Sequence, residues 1–299
     1  MPNNLSIGSL GFAGNYGKVK LDYIKTSLNF ILKNYNLIDI STDYGIDFNI
    51  VDILRHMNFK DSKIKFIYKV GCNYDDRYDV NQLIQRTSKD ITYFGENRIH
   101  SILLHRPSSK KLSSDLKFFK FVRDKYPCMP IGISTNSLNL YQIYRKEINF
   151  NIVQMALNPL DFYFNTPLID SIIKDKVSIQ ARSVLSNGLL SGKYNTDSKF
   201  IDIMRSRMNK VENRNKFLKR INTSIEIITY IQDNYFIDHK DIPIFLYSFF
   251  ENLSFVQCVI RGGSSIEQLD KNKSRILINS SMKEELLYKM LNQWSCEYV

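Results

Sequence analysis

Long apolar runs are missing from this sequence: stretches such as Ile244 to Phe250 fall far short of the ~20 residues that a membrane span requires. The opening Met-Pro-Asn-Asn-Leu-Ser lacks the charged and apolar regions of a signal peptide, so we expect a soluble, cytoplasmic protein. Cysteine is scarce as well. The four present, Cys72, Cys128, Cys258 and Cys296, show no paired spacing that suggests a zinc site or a redox dithiol. Reduced thiols and no metal are the expectation, with Cys72, just past an apolar strand, either lining a pocket or filling space. Also absent is a Gly-x-Gly-x-x-Gly turn after the first strand, which an open, doubly wound sheet would carry.

Acids are outnumbered: 41 Lys and Arg face 30 Asp and Glu, for a formal charge of +11. Clustered, that excess would point to nucleic acid, through phosphate contacts and counterion release. It is dispersed instead. The densest patches, Lys63/Lys65, Lys110/Lys111 and Lys216/Lys219/Arg220, alternate with acids or sit on solvated helix faces, so no nucleic-acid partner is expected. A net positive field still favours anionic ligands, such as a phosphorylated substrate or a dinucleotide.

What the chain does hold is a strand-helix alternation, read from apolar runs and helical spacing. Strands are expected at Ile7 to Asn15, Leu37 onward, Ile64 to Gly71, His100 to Leu104, Ile131 to Ser134, Ile152 to Leu157, Val177 to Val184 and Phe255 to Ile260. Between them lie helices, among them 48–57, 80–92, 115–126 capped by Ser113-Ser114, 166–174 and 242–253. Leu21, Ile24, Leu28, Ile31 and Leu32 mark the first helix; Leu218, Ile221, Ile225 and Ile228 mark a later one. A polar stretch at about 186–215 reads as a large loop over one face. Helices at 266–272 and 282–291 precede a short tail with Trp294 and Tyr298, which would leave a pocket open on that side. Eight strand-helix units in 299 residues fit an α/β fold of one kind, a single (β/α)8 TIM barrel over residues 1–299 with parallel strands and its site at the C-terminal mouth. No apolar stripe calls for an obligate partner, so a monomer or weak oligomer is expected.

The strand ends carry chemistry. Leu37 to Gly45 delivers Asp39 and then Tyr44 before a glycine that lets the chain turn. The next two strands end in Lys69 and His105. Each alone has a plain structural explanation, a cap, a packed ring or a solvated charge; together they make a site. An unperturbed tyrosine holds its proton at neutral pH. A nearby Lys69 ammonium would favour the phenolate and lower that pKa, Asp39 would hold the lysine charged, and His105 would orient a substrate oxygen. This is a proton relay for a carbonyl oxygen, and no member of it can supply a hydride, so a cofactor must.

In these residues the sequence resembles the aldo-keto reductase family. Asp39 to Gly45 resembles its Asp-x-x-x-x-Tyr-Gly segment, Tyr-Lys-Val-Gly at 68–71 its lysine strand, and Leu-Leu-His-Arg-Pro at 103–107 its histidine strand. Ile-Gly-Ile-Ser at 131–134, Val-Gln-Met-Ala-Leu-Asn-Pro-Leu at 153–160, Gly-Leu-Leu-Ser-Gly-Lys-Tyr at 188–194 and the segment 263–272 extend the likeness. It implies a barrel that holds an extended nicotinamide cofactor, with Tyr44, Lys69, Asp39 and His105 as catalytic tetrad. It further implies Ser134, Thr135 and Gln154 at the carboxamide, Arg182 stacked on the ring, Leu185 and Asn187 at the pyrophosphate, and Gly263, Ser264, Gln268 and Asn272 at the adenosine half. Thr135, Arg182 and Gln268 depart from the residues common in the family. Gln268 replaces an arginine that often grips a 2'-phosphate, and Arg261 and Lys271 stand near enough in sequence to replace its charge, so the cofactor is NADP by inclination, or NAD. The implied activity is an NAD(P)-dependent oxidoreductase interconverting a carbonyl and an alcohol. Arg106, Lys110, Lys111, Arg182 and Lys193 suggest a small polar or sugar-like substrate. The rival is a barrel that binds cofactor as a regulatory or scaffold subunit.

Overall fold

Strand residues point alternately to opposite faces, and here the two faces meet different surroundings. Outward-facing Ile38, Ile40, Phe66, Tyr68, Ile133 and Met155 belong to the large core shared with the surrounding helices. Inward-facing Leu37, Ile67, Leu103, Ile152, Cys258 and Ile260 form a separate small cluster. Each such buried side chain contributes about 1.5–3 kcal/mol. Two residues further along the same faces stand Asp39, Lys69, His105 and Gln154. A mostly apolar layer, which also holds the buried Ser101 and Gln180, thus lies beneath a polar one.

The computed structural model describes residues 5–45, 48–59, 62–71, 79–202, 204–294 and 296; Cys72 and Tyr298 lie outside the described residues. Among the described residues, eight parallel strands close into a barrel in chain order. They are β1 (Ser6–Gly8), β2 (Leu37–Ser41), β3 (Lys65–Val70), β4 (Ile99–His105), β5 (Ile131–Ser134), β6 (Ile152–Ala156), β7 (Ser178–Arg182) and β8 (Val256–Arg261). The helices around them are α1 (Leu21–Asn34), α2 (Ile50–Arg55), α3 (Val80–Phe94), α4 (Leu112–Lys125), α5 (Leu138–Glu147), α6 (Phe162–Lys174), α7 (Val211–Tyr235), α8 (Ile242–Glu251), α9 (Ile266–Lys271) and α10 (Ser280–Asn292). This is the (β/α)8 barrel that the alternation implies. No helix among the described residues is long and apolar enough to cross a membrane.

Several boundaries differ from the sequence reading, each for a local reason. The first strand stops at Gly8 and a 3-10 turn, Ser9–Phe12, follows it. There Gly11 lies against the loop after β8, where a Cβ would fall 2.2 Å from the Gly263 carbonyl oxygen. Ser113 and Ser114 lie inside α4 and cap nothing, because a 3-10 turn at Ser109–Lys111 already leads into that helix. Sequence reading missed α5, which buries only Tyr141 and Tyr144 and so shows little apolar repeat. The region 186–215 is partly ordered: 3-10 turns at Ser186–Ser191 and Ser206–Asn209, then the first turn of α7. Ile225 is 44% exposed, and α7 faces the core with Phe217, Ile221, Ile228 and Ile231. Trp294 is buried against Tyr230 of α7, with its indole N–H donating to Glu226 at 3.2 Å.

Candidate active site

Three strands and one turn bring the predicted tetrad together. Asp39 and Lys69 project inward from β2 and β3, and the Lys69 Nζ lies 2.7 Å from the Asp39 Oδ1. Tyr44 arrives from the turn after β2, and the ammonium donates to its hydroxyl at 2.5 Å. Gly45 makes that approach possible: its φ is +112°, and a Cβ there would fall 1.9 Å from the Phe48 carbonyl oxygen. Asn49 then caps α2, accepting from the Val51 and Asp52 N–H groups. His105 closes β4 beside the phenol, ring centroids 5.6 Å apart and perpendicular.

Burial governs the protonation of this group. Lys69 is 1% exposed, Asp39 2% and Tyr44 8%. Desolvation lowers the pKa of the lysine, opposed by the charge and hydrogen bond of Asp39. The tyrosine moves the opposite way from the sequence expectation. Burial holds its pKa well above the ordinary value, and the Asp39 charge adds to this, while Arg182 and Arg106 pull it down. Burial thus keeps the phenol protonated at neutral pH. His105 is pushed down to about 4, chiefly by burial and also by the Lys69 charge, against the pull of Asp43.

Gln154, expected at the carboxamide, also reaches the ion pair. Fully buried, its Oε1 accepts from Lys69 at 3.0 Å and its amide donates to Asp39 at 2.8 Å, so it braces the ion pair from β6. Sequence reading also passed over two residues inside the central motif. The Ser41 Oγ lies 3.1 Å and the Asp43 Oδ2 3.3 Å from the His105 Nδ1. Ser41 follows Asp39 by two residues on a strand, which puts both on one face; that period was the available signal.

The remaining predicted residues line the ends of β5 to β8 and the loops beyond. Ser134 closes β5, and its hydroxyl makes no hydrogen bond among the described residues. The Thr135 Oγ1 accepts from the Ser137 N–H, a turn role. Asn136, not singled out from sequence, pins the Ala156 backbone and accepts from the Arg182 guanidinium at 3.0 Å. Leu185 and Asn187 lie in a turn where Ser183, Ser186, Asn187 and Gly188 all have positive φ. Its backbone closes on itself: the Ser186 N–H donates to the Ser183 carbonyl and the Gly188 N–H to the Leu185 carbonyl, both at 2.8 Å. Across the mouth, Ser264 donates to Gln268 through both its N–H and its hydroxyl, and Asn272 donates to the Gly262 carbonyl. Arg261 and Lys271 are both engaged within the fold. Arg261 is fully buried on Glu251, and Lys271 pairs with Asp241 at 3.0 Å.

This arrangement has relatives among solved structures. A glycerol dehydrogenase from Gluconobacter oxydans superposes with a TM-score of 0.71 at 17% identity, covering 98% of this chain and 93% of that one. The holo form of an aldo-keto reductase from Bacillus halodurans gives 0.68 at 16% identity over the same shares, 98% and 93%. An aldo/keto reductase from Klebsiella pneumoniae in complex with NADP and acetate gives 0.64 at 11%, covering 98% and 94%. At such identities these likenesses establish the fold. No curated protein matches the sequence. Residues 4–285 do match the Aldo/keto reductase family, and with nearly the whole chain so covered the protein belongs to that family of oxidoreductases.

Proposed function

We propose that the protein is an NAD(P)-dependent reductase of small polar carbonyl compounds, with Tyr44 as the proton donor. The observation that carries this reading is the buried chain Asp39, Lys69, Tyr44, linked at 2.7 and 2.5 Å. A lysine so deep in the barrel is costly to bury even when paired, which favours a functional reason for it, and its neighbour is a phenol at the mouth. Tyr44 donates its proton to the carbonyl oxygen; Lys69 stabilises the phenolate that remains; Asp39 and Gln154 keep Lys69 in place. The nicotinamide cofactor supplies the hydride when bound.

The chain's polar ends fit such a cofactor. The Ser134 hydroxyl, without a partner among the described residues, suits the carboxamide, the Arg182 plane suits stacking, the tight turn at 183–188 suits the pyrophosphate, and Ser264, Gln268 and Asn272 suit the adenosine half. Neither cation named for the 2'-phosphate stays available, since Arg261 and Lys271 are paired within the fold. NADPH and NADH are therefore expected to bind within about tenfold of one another, a difference of ~1.4 kcal/mol. For the substrate, Arg106 and Arg182 stand close enough to act on the Tyr44 charge, which supports a polar or anionic compound.

Fluorescence titration with NADPH and NADH, together with turnover of Tyr44→Phe, tests the reading. Binding of either cofactor is expected to survive the substitution, while turnover falls by at least about a hundredfold. Tight binding with no wild-type turnover on a panel of aldehydes and ketones would instead favour a scaffold or regulatory barrel. Failure to bind either cofactor would reject both.

A further inference from the structure

We propose that Gln180, fully buried on β7, is a positioning residue for the relay: it fixes the direction of the Gln154 amide, and the aligned amides of Gln154, Gln180 and Gln257 hold the Lys69 side chain as the ammonium. The link to turnover rests on the reading of Tyr44 as proton donor; the effect on Lys69 does not.

Charge decides which way each amide faces. An ammonium only donates and an ionised carboxylate only accepts. The Gln154 oxygen is therefore the atom 3.0 Å from the Lys69 Nζ, and its nitrogen the atom 2.8 Å from the Asp39 Oδ2. That nitrogen has a second hydrogen, which goes to the Gln180 Oε1 in a long bond of 3.5 Å. Gln180 then turns its own nitrogen the other way, donating to the Gln257 Oε1 at 3.2 Å and to the Ser101 Oγ at 3.4 Å. Each carbonyl in the row points its oxygen along the row toward the lysine, and bonds so chained polarise one another.

The strands explain the row. Gln154 and Gln180 are partners in the register between β6 and β7, which sets their side chains side by side inside the barrel. Between β7 and β8 the ladder slips: Ile179 pairs with Val256 and Gln180 with Cys258, so that Gln257 is passed over. A bulged residue departs from the alternation of its strand, and the exposed Gln257 reaches the buried Gln180 in this way. A layer filled mainly by Leu37, Ile67, Leu103, Ile152, Cys258 and Ile260 needs no amide for packing, and burying one is costly unless its atoms are bonded. What the amide supplies is electrostatic. Lys69 sees almost no water, and desolvation lowers its pKa. The charged and titratable groups that act on it are Asp39 of β2, Asp43 and Tyr44 of the turn that follows, His105 of β4 and Arg182 of β7. The two carboxylates favour the ammonium and Arg182 opposes it. The amides side with the carboxylates and bring no further charge into the barrel.

Gln180→Met keeps the length of the side chain and removes both polar atoms. A carbon-proton correlation spectrum of the 13C-lysine-labelled protein, following the ε-methylene of Lys69 from about pH 7 to about 11, reads the effect without turnover. Lys69 and Tyr44 titrate as a pair, and since burial holds the phenol proton, the lysine proton leaves first. In Gln180→Met that first step is expected at least about half a pH unit below its wild-type position. Gln257→Ala, at the exposed end of the row, should move it the same way by less. In a Gln154→Met background the Gln180 substitution should no longer move it, because the connection to Lys69 is gone. With glyceraldehyde and NADPH or NADH, the alkaline limb of kcat/KM should move down with the pair in Gln180→Met while the acid limb stays in place. An unmoved titration in Gln180→Met, or in Gln257→Ala where the first variant does not fold, overturns the proposal whatever the loss in stability. So does an equal shift with and without Gln154. If the wild type reduces no carbonyl compound, the reading of Tyr44 falls, and the lysine titration still decides the role of Gln180.

Discussion

Lys69 is held by three partners and sees almost no water, so changing any one of them exposes how the others depend on it. In Lys69→Met, Asp39 stays buried with only the Gln154 amide to face, and stability is expected to fall by about 3–5 kcal/mol in urea unfolding. Lys69→Met with Asp39→Asn removes both charges and should recover much of that loss without restoring turnover; equal losses in the single and double variants would contradict the coupling. His105 makes a prediction in pH. Its folded pKa, about 4, lies below the ordinary imidazole value of about 6.5, so the unfolded chain binds the proton more readily. The stability this contributes is complete above about pH 6.5 and is lost as the pH falls toward 4, up to about 3 kcal/mol in all. Urea midpoints measured from pH 7 to 4 should fall more steeply for wild type than for His105→Gln. At this scale the grouping of the four side chains was legible because acid, phenol, amine and imidazole recur at successive strand ends. The bracing role of Gln154 was not, since one amide near a strand middle reads the same whether it faces a ligand or a buried ion pair. The direction of the Tyr44 shift was hidden too, because it depends on depth of burial.

Elements were legible where pattern and length agreed. β5 falls at Ile131–Ser134, as read, and α3, α8 and α10 lie within two or three residues of their expected bounds. The misses have physical causes. α5 buries two tyrosines along a polar helix, and the Ser-Ser pair in α4 has the chemistry of a cap without the position of one. The turn from β2 to α2 carries the sharpest element-scale prediction. In Gly45→Ala a side chain must accept φ +112° and a carbonyl at 1.9 Å, so the turn has to shift. The expected cost is about 1–3 kcal/mol in thermal or urea unfolding, with a loss of activity larger than that stability change explains, because Tyr44 moves with the turn. Unchanged kcat in a destabilised variant would mean that the turn is not what positions the phenol.

Across the whole molecule, a formal net charge of +11 acts at a distance. Association of a dinucleotide, followed by stopped-flow fluorescence, should slow several-fold between about 10 and 150 mM salt as the Debye length contracts from ~30 to ~8 Å. Dissociation should change less; a rate of association indifferent to salt would remove the field from the account. The barrel itself was fully legible from strand count and spacing, whereas the mouth loops were not, since their conformation depends on long-range contacts such as Gly11 against Gly263.

The apolar cluster of Leu37, Ile67, Leu103, Ile152, Cys258 and Ile260 floors most of the barrel, but one thread of amides passes through it: Gln154 donates to Gln180 at 3.5 Å, and Gln180 donates to Gln257, exposed near the start of β8, at 3.2 Å. On the proposed reading of Tyr44, the relay therefore has a polar stair beneath it as well as the doorway through which substrate enters.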